Sequence, residues 1–377
     1  MIPTPIPGTW QVGDDPGRRQ FVELKGNGNQ GFVLESGSSL PSVTVAFESW
    51  GQLNQSRSNA VLVLHALSGD SHAAGPTGPG HLSPGWWDGL IGPGRPIDTD
   101  QYFVVCPNVL GGCQGTTGPS SPDAEGTPFG SRFPTITIRD QVVVEAALAD
   151  ELGIAVWAAV IGGSMGAMRA LEWCVGYAER VERAVVLAVS AAASAEQIAL
   201  CSLQIRAIRS DPDFAGGDYY FGAQHPWVGL SLARGLGQIS YRTEREFDVR
   251  FAREAQEDEV PLHGGRYAIE SYLEYQGAKL VRRFDANSYV VLSDAMNHHD
   301  VGRARGGVAQ ALSTVRARVT VAGIASDRLY PLEQQLEIAR LWPGDIEVHV
   351  IRSEYGHDGF LLEIDAVGQV IRTSLQG

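Results

Sequence analysis

A mostly parallel α/β sheet flanked by helices, with a helical lid inserted between its later strands, is the fold this sequence predicts. Three observations carry that expectation. Continuous apolar runs at 60–64, 156–161, 184–189 and 319–325 are fit for strands covered on both faces. Helical patterns at 138–152 and from Met165 to Tyr177 alternate with them, which is the alternation that builds a parallel sheet. From 191 to 306 the pattern turns helical, at 195–210, 227–234, 243–255 and 266–284, with no strand run of comparable strength. Residues 1–190 and 307–377 are therefore expected to form one core, and 191–306 a helical insertion over it.

The whole chain narrows the classes of partner. At 377 residues, 44% hydrophobic and 19% charged, a sizeable core is available and wholesale disorder is excluded. Twenty-nine basic against 43 acidic residues leave a formal charge of −14 with no basic run, which argues against nucleic acid and anionic membranes as partners. A polyanionic ligand then needs a local cationic patch. No apolar stretch is long enough to span a membrane, and Met1-Ile2-Pro3 opens no signal peptide, so a soluble cytoplasmic protein is expected. The four cysteines (Cys106, Cys113, Cys174, Cys201) show no C-x-x-C spacing, so neither a metal site nor a disulfide framework is expected. Only Cys113, in Leu110-Gly111-Gly112-Cys113, sits in a setting that draws attention.

Taken in order, residues 1–31 are rich in Pro, Gly and polar residues and read as an arm with little regular structure. Phe32-Val33-Leu34 and the β-branched and aromatic run 43–50 read as an antiparallel edge. The strand at 60–64 ends directly in His65-Ala66-Leu67-Ser68-Gly69-Asp70-Ser71-His72, where a loop of amide donors belongs. After a strand at 102–106, the Gly, Ser and Pro-rich stretch to Pro134 is long enough to line a site. The helix at 138–152 is closed by Gly153. Late strands at 319–325 and 347–351 end in Ser326-Asp327 and in Glu354-Tyr355-Gly356-His357-Asp358, and a helix at 361–375 closes the chain.

Between the strand at 156–161 and the helix from Met165 lies Gly162-Gly163-Ser164-Met165-Gly166, a G-x-S-x-G motif on a strand-to-helix turn. Such a turn strains the serine backbone, and only small residues two places before and after it avoid a clash. A serine hydroxyl is a poor nucleophile near neutral pH and needs a base, itself oriented by a third group. Of nine histidines, His65 and His72 lie beside the early strand, His225, His263, His298 and His299 in the insertion, His349 within a strand, and His81 before the turn. His357 alone follows a late strand in a turn. Asp327 is the expected orienter, with Asp294 and Asp300 as rivals inside the insertion. Ser164, Asp327 and His357 all fall at carboxyl ends of strands, in the chain order of α/β-hydrolase triads. The amides of Met165 and Leu67 are the expected oxyanion donors.

These motifs, with Gly85-Trp86-Trp87, Asn108-Val109-Leu110-Gly111-Gly112-Cys113, Ser131-Arg132-Phe133-Pro134, Arg139-Asp140-Gln141, Arg282 to Tyr289, Asp300-Val301-Gly302-Arg303 and Tyr355 to Phe360, resemble the homoserine O-acetyltransferases. The resemblance covers nearly the whole chain past residue 31. It implies the α/β-hydrolase fold, Ser164 as nucleophile, His357 as base, Asp327 as orienter, and Leu67 and Met165 as oxyanion amides. It implies acetyl-CoA as acyl donor with no bound cofactor, L-homoserine as acceptor, a place in methionine synthesis, and a homodimer. It adds Arg234, Tyr241 and Asp358 as acceptor contacts, a guanidinium suited to a carboxylate and a carboxylate suited to an ammonium. Ser68 stands where many members have threonine, and Ala167 where many have a second glycine. Without the resemblance, a serine esterase, a succinyl donor, a serine acceptor and a non-catalytic binding protein of the same fold stay open. Exposed apolar faces at 195–210 and 266–284 are the expected pairing surface.

Overall fold

The computed structural model describes residues 8–26 and 31–377. Its main sheet has eight strands: β1 (Gln20–Lys25), β2 (Ser42–Trp50), β3 (Ala60–Leu64), β4 (Phe103–Pro107), β5 (Ala159–Gly163), β6 (Arg183–Leu187), β7 (Arg318–Ile324) and β8 (Val348–Ile351). They lie side by side in the order β1-β2-β4-β3-β5-β6-β7-β8. From β4 to β8 every neighbouring pair is parallel, whereas β1 and β2 add an antiparallel edge. The central strands are apolar throughout because helices cover both faces, and every residue of β3 and β5 is buried.

The antiparallel edge differs from the expected one. Phe32–Val33 pairs with Ser39–Leu40 in a separate two-stranded ladder, and β2 pairs instead with β1, inside the stretch read as an arm. β1 gave little signal because only Leu24 of its six residues is buried. Charged, exposed residues on an edge strand guard against further pairing, and they also erase the apolar pattern by which a strand is recognised. Residues 1–7, also within that arm, lie outside the described residues.

Eleven α-helices occur among the described residues. α1 (Ile138–Glu151) opens on a capping box in which Thr137 and Asp140 satisfy each other's amides. α2 (Met165–Gly176) follows β5 across the tight turn. Between β6 and β7 come α3 (Ala195–Arg209), α4 (Trp227–Tyr241), α5 (Glu244–Arg250), α6 (Ala268–Val281), α7 (Ala286–Asn297) and the short α8 (Val308–Leu312). Then come α9 (Leu332–Leu341), α10 (Gly359–Leu362) and α11 (Ile364–Gln376). Within the insertion α4 packs between α3 and α6, and α3 also meets α7. α4 runs on past the expected end at Arg234, because Gly235 and Gly237 read as a stop yet sit inside a packed helix. α7 was not expected at all. Most of its residues are buried, so it shows no amphipathic stripe.

A buried ion pair ties the turn to its surroundings. Arg169, on α2, is fully buried and bonds Glu145 of α1 at 2.6 Å, while Trp173 Nε1 donates to the same carboxylate at 2.8 Å. Burial pushes the Glu145 carboxyl up while Arg169 pulls it down. The other arm of the Arg169 guanidinium holds the carbonyl of His65 at the end of β3. One charged residue thus fixes α2, α1 and the loop after β3 in a single arrangement.

Candidate active site

The serine sits on the turn between β5 and α2 with φ 56° and ψ −127°, a left-handed backbone that an L-residue adopts only under constraint. Two glycines make the turn possible. A Cβ on Gly162 would lie 2.4 Å from Gly166 backbone atoms, and one on Gly166 would lie 2.0 Å from the Leu64 carbonyl of β3. The motif is therefore a packing requirement of adjacent strands as well as a chemical one.

Three distant side chains meet there. His357 Nε2 lies 2.8 Å from Ser164 Oγ, and His357 Nδ1 lies 2.6 Å from Asp327 Oδ2. Asp327 is held in turn, since its Oδ1 accepts from the amides of Leu329 and Tyr330 at 2.8 and 2.9 Å. All three side chains are buried, and Tyr330 and Phe360 pack on the imidazole with ring centroids 5.0 and 5.3 Å away. The rival carboxylates lie elsewhere: Asp294 faces His298 at 3.7 Å, and Asp300 caps the amide of Gly302 at 2.8 Å.

The loop after β3 closes the other side. Gly69 N–H donates to the Ala66 carbonyl at 2.9 Å, so Leu67 occupies the second position of a tight turn. Met165 is the first residue of α2, where amides have no partner within the helix. Among the described residues neither amide finds a backbone acceptor. His65 braces this loop, its Nδ1 on the Ala66 carbonyl at 2.8 Å and its Nε2 taking the Val109 N–H at 3.1 Å. Burial, aided by Arg169, lowers its pKa to about 3, so the ring is neutral and its tautomer fixed.

Ser164, His357 and Leu67 line a cavity of about 120 Å³ that Arg234, Tyr241 and Asp358 also line. Among the described residues Arg234 makes only a long 3.5 Å contact to Ser68 Oγ, and its guanidinium stands 5.5 Å from the centre of the Tyr241 ring. Asp358 is raised from the usual carboxylate range by burial, against the pull of Arg234, Arg242 and His357. Its Oδ2 accepts from Arg242 Nη1 at 3.3 Å. A guanidinium with no carboxylate partner among the described residues and a half-buried carboxylate on one small cavity suit a ligand that carries both charges. Every sequence-predicted site residue therefore reaches this cavity or, for Asp327 and Met165, lies directly behind it. The reading missed Arg242 and Arg169. A charged residue in the otherwise apolar start of α2 was a usable signal for Arg169, whereas an arginine in a helical insertion carries none.

Among the described residues, thiols and metal-type ligands offer no second chemistry. The four cysteines are free, and burial pushes Cys113, Cys174 and Cys201 up to about 12, so none is a ready thiolate. Glu48, His72 and His81 bring three ligand-type atoms together. The two imidazoles stack, with centroids 3.8 Å apart and 11° between planes, and His81 Nε2 already accepts the Arg18 N–H at 3.1 Å. A metal lies about 2 Å from each nitrogen, near the plane of each ring, and stacked parallel rings do not converge on one such point.

The sequence matches the family model for the alpha/beta hydrolase fold over residues 59–364. It is 59% identical to the homoserine O-acetyltransferase of Thermobifida fusca over 374 residues, covering 99% of this chain and 98% of that one. The chain belongs to the homoserine O-acetyltransferase family. The homoserine O-acetyltransferase of Mycolicibacterium smegmatis is 54% identical, with 94% of this chain and 95% of that one covered. Among solved structures, the homoserine O-acetyltransferase of Bacillus anthracis superposes with a TM-score of 0.87 at 29% identity, covering 95% of this chain and 97% of that one. Esterase E22 is as close in shape, with a TM-score of 0.86, 29% identity and 95% and 99% coverage. Shape alone therefore does not separate an acyltransferase of this family from an esterase; sequence kinship does. No helix among the described residues is long and apolar enough to cross a membrane.

Proposed function

We propose that this protein moves an acetyl group from acetyl-CoA to the side-chain hydroxyl of L-homoserine, through an acetyl-serine at Ser164, in the cytoplasmic synthesis of methionine. His357 Nε2 takes the Ser164 proton as Oγ attacks the thioester carbonyl. The amides of Leu67 and Met165 bind the oxyanion, and the proton leaves with the CoA thiol. In the second half the homoserine hydroxyl gives its proton to His357, attacks the acetyl-serine and departs as the ester, and Ser164 recovers its proton. Arg234 grips the acceptor carboxylate beside Tyr241, and Asp358 pairs with the ammonium. The chemistry uses no bound cofactor; acetyl-CoA is a substrate.

The observation that supports this best is the hydrogen-bonded line Ser164, His357, Asp327 on a cavity that also presents Arg234 and Asp358. Water excluded from such a site leaves the positioned alcohol as the acyl acceptor. We take 191–306 as the lid that narrows the mouth over a core formed by 1–190 and 307–377. Rapid mixing with acetyl-CoA alone is expected to release CoA in a burst stoichiometric with Ser164, and initial rates with both substrates to give parallel reciprocal lines. Intersecting lines without a burst would refute the acyl-enzyme route. Acetate in place of O-acetylhomoserine would favour an esterase, and higher efficiency with succinyl-CoA or L-serine would reassign donor or acceptor.

The second copy implied by the resemblance has a surface to meet. Ile198 and Leu203 of α3 and Trp227, Val228, Leu232 and Ile239 of α4 are exposed apolar residues, whereas on α6 only Tyr275 is a large one. The expected face at 266–284 is thus mostly replaced by α4. A cluster of this kind is covered in most stable proteins, and self-pairing about a two-fold axis covers it twice. Sedimentation at micromolar concentration is expected to give twice the mass of one chain; the single-chain mass alone would count against the dimer.

A further inference from the structure

Asp358 faces the cavity, yet what holds it there lies outside. Directly after α4 the chain turns at Arg242, whose Nη1 bonds Asp358 Oδ2 at 3.3 Å. The same guanidinium is gripped from behind by Glu246 of α5, with Nε to Oε2 at 3.1 Å and Nη2 to Oε1 at 3.0 Å. Arg250, one turn further along α5, bonds Glu246 at 2.6 Å. A planar fork held on one edge by a carboxylate presents its remaining edge in a fixed direction. Among the described residues Asp358 Oδ1 accepts no hydrogen bond, so Arg242 takes one oxygen and leaves the other for the cavity.

Other contacts make this segment a joint between insertion and core. Thr243 Oγ1 donates to the Glu354 carbonyl at 2.6 Å, and the Arg242 guanidinium lies 5.2 Å from the centre of the Tyr355 ring. Gly356, at φ 64°, has the Tyr241 carbonyl 2.6 Å from where a Cβ would stand. Residues 241–246 are therefore seated on the turn that carries both His357 and Asp358.

We infer that Arg242 is a positioning residue for the acceptor: held by Glu246, it aims the Asp358 carboxylate so that its free oxygen meets the acceptor ammonium. This rests on the reading of Asp358 as the ammonium's partner. Burial drives Asp358 toward its neutral form, and the guanidinium groups of Arg234 and Arg242 oppose it. Arg234 is engaged by the acceptor carboxylate, which leaves Arg242, fixed by Glu246, as the guanidinium directed at Asp358. Glu246 keeps Arg242 from swinging into the cavity and competing for the carboxylate the acceptor needs.

The test separates the two half-reactions. Arg242→Met is expected to raise the KM for L-homoserine about tenfold to a hundredfold, the range for losing a charge-assisted hydrogen bond, with the CoA burst from acetyl-CoA unchanged. Arg242→Lys should recover part of the loss, and Glu246→Gln should shift KM the same way by less. Because a cation is removed, the Asp358 carboxyl moves further up, so the rise in acceptor KM on acidification begins at a higher pH in Arg242→Met than in the parent. In an Asp358→Asn background, Arg242→Met should have no further effect. An unchanged acceptor KM in Arg242→Met while Asp358→Asn raises it would overturn the role of Arg242 alone. An unchanged KM in Asp358→Asn would instead sink the reading beneath it. Equal loss of the burst and of acceptor binding would mark Arg242 as merely structural; if Arg242→Met fails to fold, Arg242→Lys and Glu246→Gln carry the same comparison.

Discussion

Replacing Ser164 by alanine should lower kcat by about 10⁵-fold or more, some 7 kcal/mol of barrier, as expected when the nucleophile of a cooperating triad is removed. The side-chain hydroxyl makes one hydrogen bond, to His357. Its loss leaves the amides of Leu67 and Met165 and the cavity charges in place, so acetyl-CoA and homoserine should still bind. The backbone strain at φ 56° is imposed by the approach of Gly162 to Gly166 and of Gly166 to β3. Alanine carries that strain as serine does, and the melting temperature should move by no more than a few degrees. Mass spectrometry after incubation with acetyl-CoA should show one acetyl adduct on the parent protein, at Ser164, and none on the variant. An adduct that persists in Ser164→Ala, or a residual CoA burst, would place the acyl group on another residue and end the assignment.

The parts of this site visible in the sequence are those that depend on backbone geometry near strand ends. Gly162 and Gly166 are required by the approach of α2 to β3, so the motif could be read before any fold was known. His357 and Asp327 were reachable because apolar strands are recognisable from composition and ligands gather at their carboxyl ends. Charged residues away from strand ends that act through other side chains were not reachable. Arg242 bonds a partner at position 358, and nothing in the residues around it marks that distance. The same holds for β1, whose strand character comes from its pairing with β2 and not from its own apolar pattern. α7 lies at the opposite limit: burial on nearly all sides removes the periodicity by which a helix is recognised. Geometry at strand ends was legible; pairing of polar groups away from those ends was not.

Asp327→Asn should cost about 10⁴-fold in kcat, or some 5.5 kcal/mol, with little change in either KM. The direction follows from hydrogen-bond polarity. Asp327 Oδ1 accepts from two backbone amides, Leu329 and Tyr330. In the asparagine variant the carbonyl oxygen must keep that place, because an amide nitrogen there would face two N–H donors. The NH₂ group then takes the place of Oδ2, 2.6 Å from His357 Nδ1, and can only donate. Nδ1 must accept, so the single proton of the neutral imidazole moves to Nε2, the atom 2.8 Å from Ser164 Oγ. A protonated Nε2 cannot take the serine proton, although every distance in the site is preserved. Nitrogen chemical shifts of the His357 ring should therefore show a proton on Nδ1 in the parent and on Nε2 in the variant. A loss of only a few-fold, or an unchanged tautomer, would mean that some other group orients His357.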